Sequence, residues 1–254
     1  MKLFEKLDEI KINDIINLYN DLINNSLVDI FVVGDIDENT IYDLSLKYFK
    51  FEGRECSKTL VYKSFFDGYK EEIEERKINQ TQIQLRYTTN KTSYDDFFSV
   101  IVGNGILGTL PTSLLFQEIR EKRSLCYSIY SSVNGYDGVL KISTGINYKN
   151  IDEVKYLINE QINKIKSGDF SDEILDTTKK MYINAYRQGD DNVKSIIWDE
   201  YRNTLINDDL NLEKSIEKIN NVSRESIMNE FKDVELKVCF ILKQKEIDNE
   251  KNWI

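Results

Sequence analysis

The segment SLLFQEIREKRSLCYSIYSS (113–132) holds the residues best suited to chemistry, Arg120 and Tyr127. A guanidinium offers a planar fork of donors to a peptide carbonyl or a carboxylate. A phenol can donate a hydrogen bond to an oxygen that gains negative charge in a tetrahedral intermediate. Arg120 falls near the end of a helix and Tyr127 at the start of a strand, an arrangement able to bring both heads to one side of a sheet edge. The residues alone leave a plainer reading open: Arg120 solvated on its helix, Tyr127 sharing an inward face with Ile129.

Other chemical candidates are weaker. VIVGNGILGT (100–109) sets Gly103, Gly105 and Gly108 in the G-x-G-x-x-G spacing of dinucleotide sites. Such a site needs a strand leading in and a helix beginning inside the motif. Here the lead-in has helical spacing, so the glycines read as a turn from one helix to the next. SIEK (215–218) fits S-x-x-K but has no partner motifs. Asp190 with Asp191, and Asp208 with Asp209, are acid pairs in polar stretches that usually stay solvated. Cys56, Cys126 and Cys239 are too scattered for a disulfide framework or a zinc set. The chain contains no histidine. That excludes Ser-His-Asp and Cys-His catalysis, imidazole acid–base work and His-ligated metal sites.

The elements that must position these residues follow from periodicity. A helix over 13–24, a strand over 27–35 and a helix capped by Asp37 open the chain. TLVYKSFF (59–66) reads as a further strand, and the charged DGYKEEIEERK (67–77) as a linker. TQIQLRYTT (81–89) alternates as a half-buried strand, and Ser93 with Asp96 forms a capping box before the next helix. Pro111 suits the first turn of the helix that carries Arg120. Two strands joined through NGYDG (134–138) come next. From Ile151 the pattern is helical, with Gly168 closing one helix and Ser171 and Ser223 capping later ones, until ELKVCFILK (235–243) closes as a strand.

At 254 residues the chain can bury a sizeable core, and 41% hydrophobic content is ordinary for a soluble protein. A formal charge of −10 without a basic stripe argues against nucleic acid. No apolar run reaches membrane-spanning length and no signal peptide opens the chain, so a cytoplasmic protein without a membrane partner is expected.

LFQEIREKRSLCYSI, following the glycine-containing junction NGILGTLPTS, resembles the second half of the pitrilysin/insulinase family of zinc metallopeptidases, with its LF-x-x-x-R-E-K-x-x-L-x-Y stretch. LVDIFVVGDIDENTIYDLSLKYF resembles the end of that family's first half, and TQIQLRYTTN the first strand of its second. The resemblance implies an α+β fold, an antiparallel-rich mixed sheet covered by helices in the mitochondrial-processing-peptidase-like architecture. It implies residues 1–66 as the end of a first, zinc-type unit, 67–77 as linker and 78–254 as a second, non-catalytic unit. Arg120 and Tyr127 match the family's pair that binds substrate backbone and steadies the intermediate. Cys126 stands where many members have glycine before the tyrosine.

The family's H-x-x-E-H motif is absent. This chain is therefore expected to hold no metal or cofactor and to be inactive alone, with zinc only in a missing N-terminal half or a partner subunit. Expected partners are a peptide or unfolded polypeptide substrate, an H-x-x-E-H-bearing first half or homologous subunit, and a possible second copy. A scaffold or peptide-binding subunit of such a complex is the alternative. VDIFVVGD (28–35), left without sheet partners, is expected to pack against 78–254 or against another copy.

Overall fold

The computed structural model describes residues 7–50, 67–89, 92 and 97–245. The strand expected over 59–66, Cys56 and the Ser93/Asp96 capping box lie outside the described residues. Helices α1 (Ile12–Asn25) and α2 (Glu38–Tyr48) come first. Strands β1 (Lys70–Arg76) and β2 (Thr81–Thr88) lead into α3 (Phe98–Asn104) and a π-helical turn over Gly105–Thr109. A second π-helical stretch, Phe116–Lys122, precedes β3 (Cys126–Asn134) and β4 (Val139–Ile146). Then come α4 (Ile151–Ser167), α5 (Asp172–Asp190), α6 (Val193–Ile206), α7 (Leu212–Asn221), α8 (Arg224–Phe231) and β5 (Glu235–Gln244).

The five strands form one mixed sheet in the order β1-β5-β2-β4-β3, parallel between β1 and β5 and antiparallel elsewhere. This is the α+β, antiparallel-rich architecture expected. Strand alternation divides the sheet into two faces. Ile83, Leu85, Leu140, Ile142, Cys239 and Ile241 point into a core shared with Val154, Leu157 and Ile158 of α4 and Phe231 of α8. Gln82, Gln84, Arg86, Lys141 and Ser143 occupy the opposite, open face, with Val238, Phe240 and Leu242 half-buried along β5.

The caps follow local chemistry. The Asp37 carboxylate accepts from the Thr40 amide at 2.9 Å, Ser171 Oγ from Ile174 at 3.2 Å, and Ser223 Oγ from Ser226 at 3.0 Å. Gly168 ends α4 at φ 72, in the left-handed region where a side chain costs energy.

Two expectations are corrected. The charged 67–77 stretch is not wholly linker, because seven of its residues become β1. Charge does not prevent a strand when a neighbouring backbone offers a ladder and cations lie opposite: Glu71 meets Lys155 at 2.7 Å and Glu75 meets Lys243 at 3.4 Å. Charged side chains are also how an edge strand avoids unwanted pairing. Conversely, LVDIFVVGD forms no strand among the described residues, because a strand is stable only beside a partner. It has no regular secondary structure, and Phe31 meets Tyr201 of α6 edge-on at 5.8 Å. No residue of α1 or α2 is buried, and α1 turns Ile12, Ile15, Ile16, Tyr19 and Leu22 to solvent.

Candidate functional site

The glycine junction is packed, not open. A Cβ on Gly103 would lie 2.5 Å from the Phe231 ring, one on Gly105 2.6 Å from Tyr182, and one on Gly108 2.7 Å from both Leu115 and Ser131. These distances are far inside van der Waals contact. The glycines let α3 and the π-turn press against α5, α8 and β3, leaving no room for a pyrophosphate. Polar atoms at the junction serve the chain itself: Asn104 Nδ2 donates to Thr109 Oγ1 at 2.7 Å, and Thr109 Oγ1 donates to the Ser131 carbonyl at 3.1 Å.

Arg120 sits in the π-helical stretch that follows, Phe116–Lys122. Such turns often mark functional sites. Its guanidinium carbon lies 4.4 Å from the Phe116 ring centre and 5.6 Å from that of Tyr127, a cation held between two aromatic faces. Its carboxylate neighbour is Glu121, at 3.6 Å on the surface, a pairing worth about 0–1 kcal/mol. The stretch is anchored through Glu118, which accepts from Lys122 and Arg123 at 3.0 Å each, while Arg123 reaches Glu153 of α4 at 3.4 Å. Those two cations hold the Glu118 carboxyl below the usual carboxylate range.

The turn into β3 needs a left-handed residue, and Ser124 supplies it at φ 53. Its amide donates to the Arg120 carbonyl and that of Leu125 to the Ile119 carbonyl, both at 3.0 Å. Cys126 is an ordinary strand position paired with Ile146, and burial pushes its thiol up, with Thr144 and Arg120 opposing.

Tyr127 does not share the inward face of Ile129. Cys126 pairs with Ile146 but Ile129 pairs with Thr144, so Tyr127 and Ser128 together oppose Gly145. This bulge turns Tyr127 out of the sheet's alternation. Its side chain is 82% exposed while Ile129 is buried. Thr144 Oγ1 donates to the Ser128 carbonyl at 2.9 Å and fixes the distortion. The structure thus brings Arg120 and Tyr127 together at the β3 edge. Sequence reasoning quoted Phe116 within the LF-x-x-x-R motif but gave it no role, although it lies four positions before Arg120 at helical spacing. It also missed the bulge, for which the sequence carries no local signal.

The remaining candidates are structural. Ser215 is buried in α7, and Lys218 lies over the Phe98 ring at 5.7 Å. Asp209 pairs with Lys214, and the Asp208 side chain accepts from the Asp209 amide at 2.9 Å. Cys239 is buried beside the Tyr69–Glu71–Lys155 network, in which the Lys155 ammonium and the Tyr69 hydroxyl hold the Glu71 carboxyl low. Among the described residues no group of three or more Cys, Asp or Glu could hold a metal ion. With histidine absent from the sequence, this donor set does not fit zinc. No helix among the described residues is long and apolar enough to cross a membrane.

Against known proteins, the profile of the peptidase M16 inactive domain matches residues 9–182. The chain is 29% identical over 246 residues to a Bacillus subtilis (strain 168) protein named "Probable inactive metalloprotease YmfF", covering 95% of this chain and 57% of that protein. A conserved protein from Enterococcus faecalis V583 superposes with a TM-score of 0.88 at 31% identity, over 95% of this chain and 58% of the other. The M16 inactive domain from Pseudomonas fluorescens shares the fold with a TM-score of 0.73 at 18% identity, over 84% of this chain and 53% of the other. The chain spans little more than half the length of these relatives.

Proposed function

Because the chain belongs to the peptidase M16 inactive-domain family, we propose that it serves as the non-catalytic part of a peptidase-type assembly, with Arg120 and Tyr127 contacting an extended polypeptide. The observation that carries this reading is the 5.6 Å approach of the Arg120 guanidinium to an outward-turned Tyr127. Among the described residues the Arg120 guanidinium has one carboxylate neighbour, Glu121 at 3.6 Å, so its other donors can grip a substrate carbonyl. The Tyr127 hydroxyl, free of the core, can donate to an oxygen developing negative charge.

The hydrolytic metal would belong to an H-x-x-E-H half or homologous subunit, since this chain has no histidine. In this reading 1–66 completes that first unit, 67–77 connects the two, and 78–254 is the second unit, whose sheet recruits β1 from the connection. The exposed apolar face of α1 and the 27–35 segment would pack on the first unit or on a second copy. A cytoplasmic setting remains part of the proposal.

Assembly with an H-x-x-E-H partner tests it. Tyr127→Phe is expected to lower kcat by on the order of 100- to 1000-fold, for a lost transition-state donor, while leaving KM nearly unchanged. An unchanged kcat overturns the catalytic role. The second reading, a scaffold or peptide-binding subunit without chemistry, is favoured by the name of the Bacillus subtilis relative, which describes that protein as inactive. It predicts peptide binding without hydrolysis in the assembled protein.

A further inference from the structure

The open sheet face carries a pair of cations that no carboxylate among the described residues matches. Arg86 on β2 and Lys141 on β4 are direct cross-strand partners, and both side chains lie on the face away from the core. Like charges placed opposite each other in this way destabilise a sheet. The chain has carboxylates in excess, 44 against 34 basic residues, and elsewhere on the sheet it uses them. Lys70 in the same row meets Glu72 at 3.0 Å, Lys155 meets Glu71 at 2.7 Å, and Lys243 meets Glu75 at 3.4 Å. Arg86 instead donates from Nε and Nη2 to the neutral Gln84 Oε1, at 3.3 and 3.2 Å. Lys141 has no hydrogen-bond or ion-pair partner among the described residues. Val238, half-buried on β5, adjoins Arg86 in the same row, and Phe240 extends the apolar strip along that strand.

The spacing to the β3 edge is set by the ladder. Tyr127 and Ser128 oppose Gly145, and Lys141 lies four residues further along β4. At the rise of an antiparallel strand this is about 14 Å, roughly four residues of an extended chain. Resting on the peptide-holding reading of Arg120 and Tyr127, we propose that Arg86 and Lys141 form an anion-binding pair for an acidic side chain of the bound polypeptide. That side chain would stand about four positions from the bond held at Tyr127. The occupant is an acidic peptide segment because the pair lies on a sheet face floored by apolar side chains, within reach of the proposed peptide site. An isolated pair of cations is also too few for a nucleic-acid backbone.

The test measures anisotropy of two rhodamine-labelled, C-terminally amidated twelve-residue Ser/Ala peptides with the full chain at low salt. One peptide carries three adjacent glutamates and the other three glutamines. The glutamate peptide is expected to bind about fivefold more tightly, the scale of two partly solvated ion pairs. The difference should vanish in the Arg86→Gln, Lys141→Gln double variant and shrink at high salt. Equal binding of the two peptides, no binding of either, or a difference that survives the double variant overturns the proposal. A single-stranded oligonucleotide competing better than the glutamate peptide also overturns it. Tyr127→Ala separates this inference from the reading beneath it. If that change leaves glutamine-peptide affinity untouched while the glutamate preference persists, the Arg120/Tyr127 reading fails and the anion pair stands.

Discussion

The glycine junction yields a sharp test in Gly105→Ala. Gly105 has helical geometry, φ −58 and ψ −46, so alanine fits the backbone and would gain about 1 kcal/mol of helix propensity. Its methyl group, however, would lie 2.6 Å from Tyr182 Cε2, 2.7 Å from Thr178 Cγ2 and 3.1 Å from the Tyr182 hydroxyl. Each partner must retreat by about 1 Å to reach ordinary contact. Neither can do so easily. Thr178 is completely buried and branched at Cβ, and Tyr182 is half-buried against the core, where burial pushes its phenol up to about 12. Overpacking of this kind costs about 1–3 kcal/mol. Against the propensity gain, the net loss reaches about 2 kcal/mol, or a fall in Tm of up to roughly 4–8 °C for a chain of this size. Thermal melts followed by circular dichroism, with urea titration, measure it. Gly34→Ala is the control, because no atom lies within 4 Å of the place its methyl group would take, and it should leave Tm nearly unchanged. A Gly105→Ala protein as stable as the parent would refute close packing as the reason for these glycines. NAD that raised the parent's Tm would refute it from the other side.

Ser124→Gly should stabilise the chain by about 0.5–1 kcal/mol, since Ser124 holds φ 53 where glycine is unstrained; a lower Tm would show the Ser124 side chain to be needed. Acid should weaken the fold through Glu71 and Glu118, whose carboxyls are held below the usual glutamate range by cationic and hydroxyl partners. The unfolded chain then binds more protons than the folded one between the two values. The stabilisation is therefore full above the ordinary glutamate value of about 4.3 and is lost as pH falls through the depressed folded values. Melts from pH 7 to pH 3 should show Glu71→Gln and Glu118→Gln flattening this acid limb; identical limbs would show that these ion pairs contribute nothing. Thr144→Val should loosen the bulge by removing the hydroxyl that donates to the Ser128 carbonyl at 2.9 Å, at a cost of about 1 kcal/mol. Tyr127 anisotropy or quenching reads the change in local order, and an unaltered signal would show that the bulge persists without that bond.

Local patterns announced most of the elements, because each depends on near neighbours along the chain. Alternation marked β2, the apolar stripe from Ile151 marked α4, and Asp37, Ser171 and Ser223 announced their helices through caps that close within three residues. The absence of histidine by itself excluded whole classes of chemistry. What local pattern could not determine depends on distant partners. Residues 70–76 are a strand only because β5, more than 160 positions later, lies beside them, and residues 27–35 are not a strand because no described strand does. The outward turn of Tyr127 arises from a one-residue mismatch between β3 and β4, and the Arg86–Lys141 pair from their register across β2 and β4. A chain's own order dictates torsions and amphipathic faces, whereas ladder register is settled by which strands meet and how their side chains pack. For this protein the sequence therefore determined which groups could act, and the tertiary structure alone decided which of them stand together.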